Sequence, residues 1–241
     1  MALVSRHYIA LARRMLSRRN IVIIILLAIG LSLFFSVYES VREQDDFATL
    51  DEPLLALVIA YQYPPLVTIM NIVTDVLSPI ALSILVLVGS ASWIWYYKKD
   101  IWRPLLLIGA MGLAFALSAG IKILTARDRP SVMDLIQSPA VSYSFPSGHT
   151  IGVATLLFVL GYFFCAAQPT LRRVLLWTAI AIAGIILVAF SRIYLTYHWL
   201  TDVTASVGLA FIILAIVIAI DTYKVQRGKN ATSKAVSDTD Q

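Results

Sequence analysis

LLALVIAYQYPPLVTIMNIV, residues 54–73, decides how this chain is built. The stretch is long and apolar enough to cross a bilayer, for which about 20 residues suffice, yet it holds Gln62, Asn71 and, at its centre, Pro64-Pro65. Around it lie six less ambiguous apolar runs: Ile21–Tyr38, Val76–Tyr97, Pro104–Lys122, Thr150–Ala167, Val174–Phe190 and Val203–Ile220. Whether residues 54–73 add a seventh span fixes the side on which every loop stands.

The distribution of charge answers this. With six spans, one face of the membrane receives only Arg42, Lys122, Arg127, Arg129 and Arg192, and every other Lys and Arg falls on the opposite face. Cytoplasmic loops are enriched in Lys and Arg, so the crowded face is cytoplasmic. A seventh span would carry the arginines of the N-terminal stretch to the wrong side. Residues 47–73 are therefore expected to form helical pieces lying in the outer interface, bent at Pro64-Pro65.

Composition agrees with a membrane protein. The 241 residues are 59% hydrophobic and 14% charged, with a mean hydropathy of +0.83, far more apolar than a soluble domain. The expected fold is all-α, a six-transmembrane-helix bundle with an interfacial helical segment between the first and second spans. Residues 1–20 form a basic cytoplasmic N-terminus, 21–220 the bundle, and 221–241 a polar, disordered cytoplasmic tail. The first apolar run lacks a small-residue cleavage site and reads as a retained anchor. The net charge of +5 is accounted for by the cytoplasmic loops and calls for no nucleic-acid partner. Cys165 is the single cysteine, so no intramolecular disulfide is expected.

Three polar clusters interrupt the apolar chain, and all three fall on the cation-poor face: Lys122 with Arg129-Pro130; Pro146-Ser147-Gly148-His149; and Ser191-Arg192 with His198 and Asp202. Cations kept where orientation disfavours them need a reason, and a negatively charged ligand is the simplest. Snorkelling alone would explain Lys122, and Arg127 would be explained by an ion pair with Asp128 or Asp134. Ser147 and Gly148 stand where the fourth span begins, where free backbone N–H groups favour an anion, although Ser147 would also serve as a helix cap. Capping does not explain His149, a titratable side chain at the rim of a bundle. His198 and Asp202 stand four apart and share a helix face, so the carboxylate is placed to fix the tautomer of the imidazole and stabilise its protonated form.

With these residues in place, Lys122-x6-Arg129-Pro130, Pro146-Ser147-Gly148-His149 and Ser191-Arg192-x5-His198-x3-Asp202 resemble the three signatures of the type 2 phosphatidic acid phosphatase superfamily. The resemblance extends to motif order, spacing and the six-span frame over residues 20–220. It implies a phosphatase needing neither metal nor other cofactor, in which His198 is the nucleophile, Asp202 orients it and His149 acts as general acid and base. Lys122, Arg129, Ser147, Gly148 and Arg192 would hold the phosphoryl oxygens. Thr196 and Leu200 depart from the family, which often carries glycine and proline there.

Bacterial members of this size act on phosphatidylglycerophosphate, phosphatidic acid or undecaprenyl diphosphate, and the last is favoured here as the commonest envelope role. The implied place is the inner membrane of the cell, with the site at the extracytoplasmic interface. The rival readings are a lipid-to-lipid phosphotransferase and a non-catalytic membrane protein that grips lipid headgroups. Two further features have plain explanations: Gly112, Ala116 and Gly120 suit close helix packing, and Asp75 suits a cap on the second span.

Overall fold

The computed structural model describes residues 18–97, 100–130, 143–168 and 170–239, so Asp134, one of the two suggested partners of Arg127, lies outside the described residues. Eight α-helices account for nearly all of them: α1 Arg18–Glu43, α2 Asp51–Ala60, α3 Pro64–Val76, α4 Pro79–Tyr96, α5 Trp102–Thr125, α6 Gly148–Ala167, α7 Leu171–Tyr194 and α8 Leu200–Thr239, with a 3-10 turn at Asp46–Leu50 before α2. Six of the helices, α1 and α4 to α8, are long and apolar enough to span a membrane.

The deciding stretch is broken where its prolines stand. α2 has 10 residues and α3 has 13, each well short of the roughly 20 that a crossing needs. Tyr63 is extended ahead of Pro64 and Pro65, which occupy the first turn of α3. There the missing N–H costs nothing and the fixed φ suits a helix start.

α6 is the axis of the bundle, packed against α5, α7 and α8, while α1 lies along α8. Ile151, Ala154 and Val159 of α6, Ala114 of α5, Val188 of α7, and Ala205 and Ile213 of α8 have no exposed surface. The outer faces of α1, α4 and α7 carry Ile24, Leu85 and Ile186, each more than half exposed, as side chains that meet lipid should be. At the crossing of α1 and α8 the backbones nearly touch: a Cβ added to Gly30 would lie 2.7 Å from the Gly208 carbonyl oxygen. At the end of the bundle away from the three clusters, Asp221 of α8 accepts hydrogen bonds from Trp102 Nε1 of α5 at 2.9 Å and from the Tyr162 hydroxyl of α6 at 2.6 Å.

Two local expectations are corrected. The second span is capped by Ser78, whose hydroxyl accepts from Ala81 N at 3.2 Å, while Asp75 belongs to the last turn of α3. Gly112, Ala116 and Gly120 lie on an exposed face of α5, and a Cβ on either glycine would meet nothing within 4 Å. The backbone of α8 stays helical to Thr239. No proline interrupts the sequence after residue 169, and its Ala, Lys and Val residues permit a helix.

Candidate active site

Five elements bring the sequence clusters together at one end of the bundle. Lys122 is in the last turn of α5 and Arg129 follows it. Ser147, Gly148 and His149 form the start of α6. Arg192 closes α7, His198 lies in the turn between α7 and α8, and Asp202 is in the first turn of α8.

The turn that carries His198 is wound on one carbonyl, that of Arg192, which accepts from Tyr197 N at 3.0 Å and His198 N at 3.2 Å. To close it, Thr196 takes φ 56, a left-handed conformation that glycine adopts most easily. This gives a physical meaning to the departure from the family's glycine. Leu200, where the family often has proline, opens α8, a position proline tolerates.

His198 is buried, and its Nδ1 lies 3.0 Å from Asp202 Oδ2. That oxygen also accepts from Trp199 N at 3.0 Å. The proton is thereby held on Nδ1, and Nε2 keeps its lone pair. Burial, then the charges of Arg192, Lys122 and Arg129, hold the imidazole well below its usual pKa of 6.5, against a smaller opposing effect of the Ser144 carbonyl. Burial also draws the Arg129 guanidinium below its usual range, opposed by Asp202 and Tyr197.

The cations are placed by backbone oxygens and ring faces. Lys122 Nζ donates to the carbonyls of Tyr143 and Ser144, the latter at 3.0 Å. Arg129 Nη1 donates to the Tyr197 carbonyl at 2.7 Å. Arg192, 5% exposed, lies with Cζ 4.3 Å above the Tyr197 ring and gives one hydrogen bond, to Thr74 Oγ1 at 3.3 Å. Its buried Nε has no hydrogen-bond partner among the described residues. A buried guanidinium N–H left unmatched is costly unless a ligand accepts from it.

Ser147 does cap α6, accepting from Thr150 N at 3.5 Å and Thr150 Oγ1 at 3.1 Å, and its own hydroxyl proton remains to be donated. A Cβ on Gly148 would make only ordinary contacts, at 3.6 Å to Ser118 Oγ, so protein packing does not demand glycine there. His149 is half-buried and close enough to feel the charges of Arg192, His198, Arg129 and Lys122. No group of three His, Cys, Asp or Glu side chains among the described residues is placed to hold a metal.

Sequence reasoning misplaced one residue and missed another. Arg127 does not pair with its neighbour Asp128; its Nη1 lies 2.7 Å from Asp202 Oδ1 and its Nη2 lies 2.7 Å from Asp51 Oδ2. Asp51, buried at the start of α2, had drawn no notice because the only signal was its position before an interfacial helix.

Residues 103–226 match the PAP2 superfamily. Over 202 residues, 83% of this chain and 96% of its relative, the sequence is 29% identical to phosphatidylglycerophosphatase B of Bacillus subtilis. The crystal structure of a transmembrane PAP2 type phosphatidylglycerolphosphate phosphatase from Bacillus subtilis matches with a TM-score of 0.70 at 27% identity, covering 81% of this chain and 96% of that one. That of Aquifex aeolicus LpxE matches with a TM-score of 0.52 at 24% identity, covering 72% and 96%, a likeness of fold.

Proposed function

Because this chain belongs to the PAP2 superfamily and is a multi-pass membrane phosphatase, we propose that it hydrolyses a phosphate carried on a lipid, through a phosphohistidine formed on His198. The carrying observation is Arg192: a buried cation with an unmatched N–H, beside Lys122 and Arg129, next to an imidazole locked onto a carboxylate. Such a pocket is complementary to a phosphoryl group whose charge is spread over three oxygens.

His198 Nε2 attacks phosphorus, the N–P bond forms, and the bond from phosphorus to the lipid oxygen breaks. His149 gives its proton to that oxygen. Lys122, Arg129, Arg192, the Ser147 hydroxyl and the Gly148 N–H hold the other oxygens, and Asp202 steadies the imidazole as it gains positive character. Water then attacks phosphorus, giving a proton to His149 as the N–P bond breaks; His198 is freed and inorganic phosphate leaves. The chain and one water supply every proton and charge in this scheme.

Similarity to a phosphatidylglycerophosphatase favours a glycerophospholipid monoester as substrate over the undecaprenyl diphosphate favoured from sequence. The lipid tails stay in the bilayer while the head enters the site from the outer interface of the inner membrane, with the start of α1 and the end of α8 cytoplasmic. Release of inorganic phosphate from phosphatidylglycerophosphate, phosphatidic acid and undecaprenyl diphosphate, measured in chelator, tests this. Activity is expected on the first, with His198→Ala reducing it by about 1,000-fold or more. A requirement for a divalent metal, or full function in His198→Ala as a headgroup-binding protein would keep, overturns the reading.

A further inference from the structure

Asp202 presents its two carboxylate oxygens to different partners. Oδ2 serves His198 and Trp199 N, whereas Oδ1 is taken by Arg127 Nη1 at 2.7 Å. Arg127 does not stop there. Its Nη1 also lies 2.6 Å from Thr201 Oγ1, and its Nη2 reaches Asp51 Oδ2 at 2.7 Å. Asp51 in turn accepts from Thr201 N at 3.1 Å and the Thr201 hydroxyl at 2.6 Å. Asp51, Arg127 and Thr201 thus close a ring, and Arg127 ties that ring to Asp202. The side chains of Asp51, Arg127 and Asp202 are 3%, 14% and 0% exposed.

Resting on His198 as the nucleophile, we propose that Arg127 and Asp51 are positioning residues for the reaction: Arg127 holds the Asp202 carboxylate where it orients the imidazole, and Asp51 fixes Arg127. Three features argue for this. A guanidinium that gives Nη1 to one carboxylate and Nη2 to another is held at both ends, so it ties the position of Asp202 to that of Asp51. The two carboxylates flank a single cation, so loss of either distorts the other's partner. Finally, Asp51 begins α2, which stands between the first and second spans, so the surface segment forms part of the support for the nucleophile rather than a separate lid. The charged and titratable groups around Asp202 are Lys122 from α5, Arg127 and Arg129 from the segment after it, and His198; among these Arg127 alone bonds to its outer oxygen.

The test compares Arg127→Gln, Arg127→Lys and Asp51→Asn in the full chain, with Asp128→Asn as the control for an exposed charge next door. Each is assayed on a short-chain glycerophospholipid monoester and for inhibition by inorganic phosphate and by orthovanadate. Phosphate needs only the anion pocket, while vanadate bonds to the nucleophile in a five-coordinate adduct. Arg127→Gln and Asp51→Asn are expected to cut kcat by about 100-fold, the scale set by a displaced catalytic group, with KM and phosphate inhibition within about twofold and vanadate inhibition weakened in step with kcat. Arg127→Lys recovers part of the loss, Asp128→Asn loses nothing, and the Arg127→Gln/Asp51→Asn double variant is no worse than the poorer single one. The proposal is overturned if the single variants keep kcat within about threefold, or if phosphate and vanadate inhibition fall together, which marks a merely damaged fold. His198→Ala run alongside separates the cases: activity surviving in it removes the nucleophile itself.

Discussion

A histidine shut away from water among three cations is a different reagent from one in solution. Both burial and neighbouring positive charge oppose its protonation, and His198 is held well below 6.5 by both. The sign follows for two observables. Between its usual and its lowered pKa, the folded site keeps the imidazole neutral and nucleophilic, so the acid limb that His198 contributes to kcat/KM should lie below pH 6.5; a limb centred at or above 6.5 in a rate profile would contradict this. The unfolded chain, by contrast, takes up the proton as pH falls through 6.5, so this residue's contribution to stability is present above that pH and declines below it. Denaturation in detergent at pH 7.5 and 5.5 should show the lower value at 5.5, with the difference reduced in His198→Asn. That the three polar clusters meet at one end of the bundle was legible because each stands in a short local pattern. Arg127 and Asp51 were not, since 76 residues separate them and Asp128, adjacent in sequence, offered a nearer partner. Adjacent positions favour a pairing only if the backbone turns both side chains the same way, and here it sends Arg127 inward while Asp128 is exposed.

The helices were legible wherever apolar length was unambiguous, and the split at Pro64-Pro65 followed from proline's own geometry. Details that depend on which face of a helix meets which neighbour were not. The small-residue repeat on α5 satisfies the spacing for close packing yet faces outward, whereas Gly30 and Gly208 stand at a close backbone approach between α1 and α8. A single glycine in each of two distant spans carries no repeat to notice. One substitution made at two sites tests the contrast. Gly30→Ala must move the α8 backbone or Ile212, whose Cγ1 would lie 2.8 Å away, and is expected to cost about 1–3 kcal/mol, the range for overpacking. Gly112→Ala, with open space around it, should stay within about 0.5 kcal/mol. Thermal unfolding in one detergent measures both, and equal losses would show that the crossing is not the constraint.

At the scale of the whole molecule, orientation is the property that charge sorting predicts. Glu52, exposed on α2, offers a handle at the same end as the site. In a Cys165→Ser background, Glu52→Cys should react with a membrane-impermeant maleimide on intact cells; reaction only after permeabilisation would reverse the topology. The seam between the first and last spans has a further meaning. Their helices touch at Gly30 and Gly208, and at the end away from the site Arg19 and Asp221 both act on the hydroxyl of Tyr162. The two ends of the chain's run of spans therefore meet in space, although they are the furthest apart in sequence. A flexible tether from Val225 to Arg19 would make the covalent path circular, and the path could then be opened between Ala167 and Leu171. Such a circular permutant would keep all six spans and the three polar clusters in register while exchanging which spans are made first and last.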